Sequence, residues 1–230
     1  MHLQCRDIHF NYPGSDKVLF DNLTIDFKGS GLHALFGPSG VGKSSLARIF
    51  SGLLQPETGS IHLDRDLCPL YTHNVERLPG WSSVGRHLER ITPEHNIDRK
   101  KELIRIFGLE SLLNRRFAQL SLGQQNRVNL LRYLTQQFSV LIMDESLANV
   151  DEKMRGRILL AMKEMFAHAM FIYISHNVVE VAAYCRQIWV LRQSHKNPQA
   201  VLVNGQDRCS EGELDNLKLQ RTMLEIMHVA

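Results

Sequence analysis

The chain has only four cysteines in 230 residues, Cys5, Cys68, Cys185 and Cys209, which stand far apart and form no C-x-x-C pair. Their spacing offers neither a zinc site nor a disulfide framework, and reduced thiols fit a cytosolic protein. Long apolar runs are missing too: no uninterrupted stretch approaches the roughly 18 residues of a membrane-spanning helix. The opening residues, Met1-His2-Leu3-Gln4-Cys5-Arg6-Asp7, lack the basic-then-apolar order of a secretion signal. A strong charge excess is also absent. The 27 basic and 24 acidic side chains leave a net charge of +3, scattered along the chain, which argues against a nucleic-acid partner. There is no internal repeat and no low-complexity linker. The remaining composition, 43% apolar and 22% charged, is that of an ordinary globular chain long enough to bury a sizeable core. If the protein works at a membrane, something else is expected to span it.

Periodicity divides the sequence into three regions. Leu3 to Phe10 alternates loosely and Leu23 to Phe27 alternates clearly, which predicts antiparallel strands joined by the turn Tyr12-Pro13-Gly14-Ser15-Asp16. A buried strand at Leu32 to Phe36, a glycine-rich loop, a helix at Lys43 to Phe50 and a short strand near Ser60 to Leu63 follow. From about Thr72 to Gln137 the pattern is mainly helical, with helices at Val84 to Ile91, at Asp98 to Phe107 and from near Gly123. Two apolar strands, Val140 to Met143 and Met170 to Ile174, then flank an amphipathic helix at Asp151 to His168, and Leu214 to His228 reads as a final helix. The expectation is an α/β core interrupted by a helical insertion.

The loop Gly37-Pro38-Ser39-Gly40-Val41-Gly42-Lys43-Ser44, with Ser45 after it, fits G-x-x-x-x-G-K-[ST] between an apolar strand and a helix. Glycines let the backbone turn so that successive N–H groups face phosphate oxygens, and the helix N-terminus adds partial positive charge. Lys43 is expected at the β- and γ-phosphates and the Ser44 hydroxyl on Mg2+. The strand Val140 to Met143 ends in Asp144 and Glu145. At the carboxyl end of a parallel strand, Asp144 would reach the Mg2+ shell and Glu145 the water that attacks the γ-phosphate. Leu120-Ser121-Leu122-Gly123-Gln124 opens a helix about twenty residues earlier, where a hydroxyl, a glycine N–H and a helix start make an anion site, or Ser121 simply caps the helix.

In this order, these motifs resemble the nucleotide-binding subunit of the ATP-binding cassette (ABC) family over essentially the whole chain. Leu120 to Gln124 matches four of five positions of that family's L-S-G-G-Q signature, with Leu122 in place of Gly. The resemblance implies an α/β fold with a P-loop NTPase (RecA-like) core, an N-terminal antiparallel β subdomain and an inserted α-helical subdomain. Residues 1–71 and 138–230 would form the β subdomain plus core, and 72–137 the helical subdomain. It also implies two cassettes packed head to tail, with Ser121, Gly123 and Gln124 of one contacting ATP held by the Lys43 loop of the other. Tyr12 is similar to the ring that stacks on adenine, and Asp151, after Ala148-Asn149-Val150, to the residue joining the two sites. His176, in Ile174-Ser175-His176-Asn177, is similar to the switch histidine on the γ-phosphate. Tyr71 to Val84 resembles the loop whose Gln couples Mg2+ to the membrane partner, with Asn74 at the Gln position and His73 beside it. The other ten histidines read as surface or core residues.

The implied function is an ATPase at the cytoplasmic face of the inner or plasma membrane, peripheral to it and driving a transmembrane permease. Pro79-Gly80-Trp81 resembles nitrate, sulfonate and taurine importers, which implies an extracytoplasmic solute-binding protein. A soluble ABC ATPase of an assembly complex is the alternative. A GTPase or small-molecule kinase is disfavoured because no N-K-x-D motif follows the phosphate loop, and a cassette that binds without hydrolysing because Lys43, Asp144, Glu145 and His176 are all present.

Overall fold

The computed structural model describes residues 1–64, 69–74, 76, 78, 80–210, 212 and 214–230. The chain opens with β1 (His2–Asn11) and β2 (Val18–Lys28), then β3 (Gly31–Phe36), α1 (Lys43–Phe50) and β4 (Thr58–Leu63). β5 (Leu70–His73) enters the stretch read as mainly helical, which continues with α2 (Val84–Ile91), α3 (Ile97–Ile106) and α4 (Leu122–Leu134). β6 (Val140–Asp144), α5 (Glu152–Met165), β7 (Met170–Ile174), α6 (Val178–Tyr184), β8 (Gln187–Leu191), β9 (Ala200–Asn204) and α7 (Asn216–Val229) complete the chain. Periodicity did not predict β8, β9 or α6.

Two sheets form. β1, β2 and β4 are antiparallel in the order β2-β1-β4, and a second sheet runs β5-β6-β7-β3-β8-β9, all parallel except β9. The loose alternation of β1 has a structural cause. Register breaks between Cys5 and Ile8, and Asp7 turns to φ 51°, so Leu3 and Cys5 face the core before the irregularity and Ile8 and Phe10 after it.

β6 and β7 are buried at every position because the parallel sheet is covered on both faces. Their residues still sort by period two. Val140, Ile142, Met170 and Ile172 join α1 and the antiparallel sheet in one core, while Leu141, Met143, Phe171 and Tyr173 join α3, α4 and α5 in the other. This layering leaves the carboxyl ends of β5, β6, β7 and β3 side by side along one edge.

His33 of β3 is fully buried against the edge of the Phe27 ring, with Nε2 3.2 Å from the Gly29 carbonyl. Burial, reinforced by Arg186, lowers its pKa from 6.5 to about 4, although the Gly29 contact and Asp207 pull the other way. The unfolded chain therefore takes up a proton that the folded chain refuses as pH falls through that window, so stability drops with pH there. We expect this group to cost up to about 3 kcal/mol between about pH 6.5 and about pH 4. His33→Phe should flatten the acid limb of urea-unfolding free energy against pH, and an unchanged limb would remove His33 as its source.

Candidate functional site

The loop after β3 turns on glycines that no other residue replaces without strain. Gly37 has φ 144° and a Cβ there would lie 2.4 Å from the Leu191 carbonyl oxygen; Gly42 has φ 106° and a Cβ would lie 2.7 Å from Phe20. Gly42 is the N-cap of α1, so the loop's N–H groups and the helix start share one concavity. Lys43 is only 6% exposed and its Nζ donates to the carbonyls of Gly37 and Pro38 at 2.8 and 2.9 Å. Burial lowers the Lys43 pKa, while Glu145 and Asp144 oppose the shift. Pro38, Ser39, Gly40 and Ser44 are exposed, whereas Val41 and Ser45 are buried. Tyr12 holds its hydroxyl 2.8 Å from Ser45 Oγ and packs at a steep angle against Phe10, the residue remaining 40% exposed beside the loop.

Two strands away, β6 delivers Asp144 and Glu145. Asp144 is buried and accepts a hydrogen bond at Oδ2 from Tyr71 of β5 at 2.8 Å. Burial, with Asp144 adding to it, raises the Tyr71 pKa, so the phenol remains a donor. Glu145 adopts φ 51°, uncommon for a residue with a side chain, while its N–H bonds the Ile174 carbonyl at 3.0 Å. Its Oε1 contacts His176 Nε2, the two side chains meeting across the ends of β6 and β7.

The loop carrying His176 rests on a residue that periodicity did not single out. Glu180 is 4% exposed, and its carboxylate lies 2.6 Å from Arg155 Nε. It also accepts from Tyr173 at 2.9 Å and from Asn177 Nδ2 at 3.2 Å. Asn177 in turn caps α6 through the N–H groups of Val179 and Glu180. The available signal was a carboxylate four residues after the histidine, at the start of an apolar helix.

The signature segment forms a second group. Ser121 is the N-cap of α4 and forms a reciprocal capping box with Gln124, its Oγ accepting at 3.3 Å and Gln124 Oε1 accepting from the Ser121 N–H at 2.9 Å. Leu122 occupies the first helical turn, 56% exposed and outside the left-handed region, so its replacement of Gly causes no strain. Gly123 is the position without space: a Cβ would stand 2.2 Å from the Asn149 carbonyl oxygen. Asp151 caps α5 by accepting from the Met154 N–H at 2.9 Å. Among the described residues, Ser121, Gly123, Gln124 and Asp151 make no hydrogen bond to Lys43, Asp144, Glu145 or His176.

Asn126, 4% exposed and not singled out by sequence, connects the groups. Its Nδ2 donates to Asn74 Oδ1 at 3.1 Å and to the Ala148 carbonyl at 2.5 Å, while the Asn74 N–H donates to the Asp144 carbonyl at 3.0 Å. Asn74 thus follows directly from the Asp144 strand end, whereas His73 is exposed and stacked on Tyr71. Further along, Glu76 is gripped by Asn129, Arg132 and Tyr133 of α4. Val75, Arg77 and Pro79 of this segment lie outside the described residues, as does Cys68. Trp81 is 76% exposed.

A family model described as "ABC transporter" matches residues 20–148. The sn-glycerol-3-phosphate import ATP-binding protein UgpC of Chromobacterium violaceum is 27% identical over 213 residues, covering 84% of this chain and 57% of that protein. The protein of the same name from Escherichia coli is 31% identical over 209 residues, covering 82% of this chain and 58% of its own length. The chain therefore spans a little over half the length of these relatives. Among solved structures, a bacterial Atm1-family ABC exporter with ATP bound superposes with TM-score 0.78 at 19% identity, over 99% of this chain and 41% of that one.

The contrast between adjacent signature positions is measurable. Gly123→Ala should destabilise the fold by about 2 kcal/mol, because backbone must move to clear Asn149. Leu122→Ala should change stability by less than about 0.5 kcal/mol, as an exposed first-turn position does. Urea unfolding of both variants checks this; equal effects would mean that Gly123 does not depend on its contact with Asn149.

Proposed function

Because the chain belongs to the ABC transporter family, we propose that it binds ATP and hydrolyses it to drive a separate transmembrane permease. The observation that carries this reading is the single sheet edge holding Lys43 in its glycine cradle, Asp144 on a tyrosine, and Glu145 against His176. In this reading residues 72–137 form a helical subdomain and 1–71 with 138–230 the rest.

Each side chain has a task suited to its surroundings. Lys43 exchanges the carbonyls of Gly37 and Pro38 for β- and γ-phosphate oxygens, a short move for an ammonium already held at the cradle. Tyr12 offers its exposed ring face to adenine while Ser45 fixes the hydroxyl. Glu145, aimed by its backbone turn, takes the proton of the attacking water, and His176 orients Glu145 and contacts the γ-phosphate. The donor set fits Mg2+: Asp144 Oδ2 is occupied by Tyr71, and Oδ1 accepts no hydrogen bond among the described residues, leaving a hard oxygen for the ion, to which the exposed Ser44 hydroxyl would add a second. Asn74 would join them. Mg2+ supplies neutralisation of the charge that develops on the transferred phosphoryl group.

Ser121, Gly123 and Gln124 lie in a group of their own within one chain, which supports pairing with a second cassette whose ATP they would contact, with Asp151 joining the two sites. We take the pair as a homodimer. No described helix is long and apolar enough to cross a membrane. In this reading the permease is a separate subunit, at whose cytoplasmic face the chain docks, in keeping with relatives named as ATP-binding proteins of import systems. The names of the relatives favour import, and with it an extracytoplasmic solute-binding protein. The sequence likeness to nitrate, sulfonate and taurine importers rests on Pro79-Gly80-Trp81, of which Gly80 and Trp81 are described.

Glu145→Gln should retain ATP binding and ATP-dependent dimerisation while turnover falls by about 10²-fold or more. Near-normal hydrolysis by that variant would sink the assigned role. Purification from native membranes in mild detergent with ATP should bring down a stoichiometric multi-spanning protein. Soluble partners alone, with ATPase activity intact, would instead make this an assembly ATPase.

A further inference from the structure

The three-stranded sheet carries a side-chain cluster far from this site. Leu3 and Cys5 of β1, Ile25 and Phe27 of β2, and Ile61 and Leu63 of β4 face the core, so the alternate residues His2, Asp26 and His62 face outward, joined by Asp64 just beyond β4. Register places them together. His2 pairs with Lys28 on one side, Gln4 pairs with Asp26 and His62, and the Asp64 N–H donates to the His2 carbonyl at 3.2 Å.

The donor atoms converge. His2 Nδ1 is 3.8 Å and His62 Nε2 is 3.4 Å from the same oxygen, Asp64 Oδ1, and all three ligand atoms lie within 4.8 Å of one another. Neither histidine makes a hydrogen bond to Asp64. Ligands at 2.0–2.1 Å around one tetrahedral Zn2+ stand about 3.3 Å apart, so the observed separations need only small adjustment. The other nitrogen of His2, Nε2, is committed to Asp26 Oδ1. With Nε2–H donating to that carboxylate, the Nδ1 lone pair faces Asp64, and a carboxylate in this position is typical behind a metal-bound histidine. Asp26 has Lys28 Nζ 3.1 Å from its other oxygen, and the Met1 amino group lies 3.9 Å from Asp64 Oδ2, away from the oxygen that the histidines face.

We propose that His2, His62 and Asp64 form a binding site for a Zn2+-class divalent transition metal, with Asp26 orienting His2. Two imidazoles and one carboxylate suit a borderline cation, with water completing the shell, and they exclude selection of Mg2+ or Ca2+. The ligands come from β1 and from β4 with its immediate extension, so the ion clamps these strands. His2 lies at the opposite end of β1 from Asn11, about 30 Å away at strand rise, so the clamp is independent of the phosphate loop.

The test uses the full chain without an affinity tag, stripped with chelator and titrated with ZnCl2 by calorimetry, with thermal unfolding in parallel. The wild type should take up one equivalent with micromolar affinity and melt several degrees higher with Zn2+. His62→Ala and Asp64→Asn should each weaken binding at least tenfold, Asp26→Asn by about 10- to 100-fold, and the exposed His168→Ala not at all. Circular dichroism of each variant shows whether it is folded. Absence of a saturable single equivalent, binding indifferent to His62→Ala, or equal affinity for Mg2+ would each overturn the proposal.

Discussion

A parallel sheet holds together only if both of its faces are dry, and that constraint organises this molecule. β3, β6 and β7 meet it by being apolar at nearly every position, sending alternate side chains into two separate cores. One core needs α1 and the antiparallel sheet above it; the other needs α3, α4 and α5 below. With both faces covered, polar chemistry is pushed to the ends of the strands. Because these strands run the same way, their carboxyl ends fall on one edge, where the Gly37 loop, Asp144, Glu145, His176 and Asn74 emerge together.

The edge is a connected polar structure. Asn126 ties the loop after β5 to the loop after β6, and Gly123 lets α4 approach that second loop to backbone contact. Glu76, held by three residues of α4, adds a further tie. The helix that opens at Ser121 is thereby joined by hydrogen bonds to Asn74, whose backbone is bonded to Asp144. These contacts connect the signature to the edge through partly buried hydrogen bonds that are costly to leave unmade.

Glu145 shows where the structure holds a local conformation against its preference. A glutamate at φ 51° is sustained by hydrogen bonds on both sides, its N–H to Ile174 and its carbonyl accepting from Ala148, and by the contact with His176. Glu180 does comparable work from below. Its buried carboxylate, matched by Arg155, Tyr173 and Asn177, fixes the turn that presents His176.

Much of this was legible in the chain itself. Helices at Val84–Ile91 and Lys43–Phe50 and the strand Met170–Ile174 were readable because their periodicity or apolar continuity is strong, and the two helices start at Ser83 and Gly42. The candidate site residues were readable because phosphate chemistry demands few residue types at fixed spacing. α6 was not, since seven residues make fewer than two helical turns, too few for a period to emerge, and β8 and β9 also went unread. Sequence by itself determined the fold class and the residue types available at the strand ends, through local patterns of apolarity and glycine. Only tertiary structure decided that Asn126 bridges Asn74 to Ala148, that Glu145 meets His176, and that His2 and His62 share Asp64. Those pairings join residues far apart in the chain, and the register and packing that create them are set by long-range contacts.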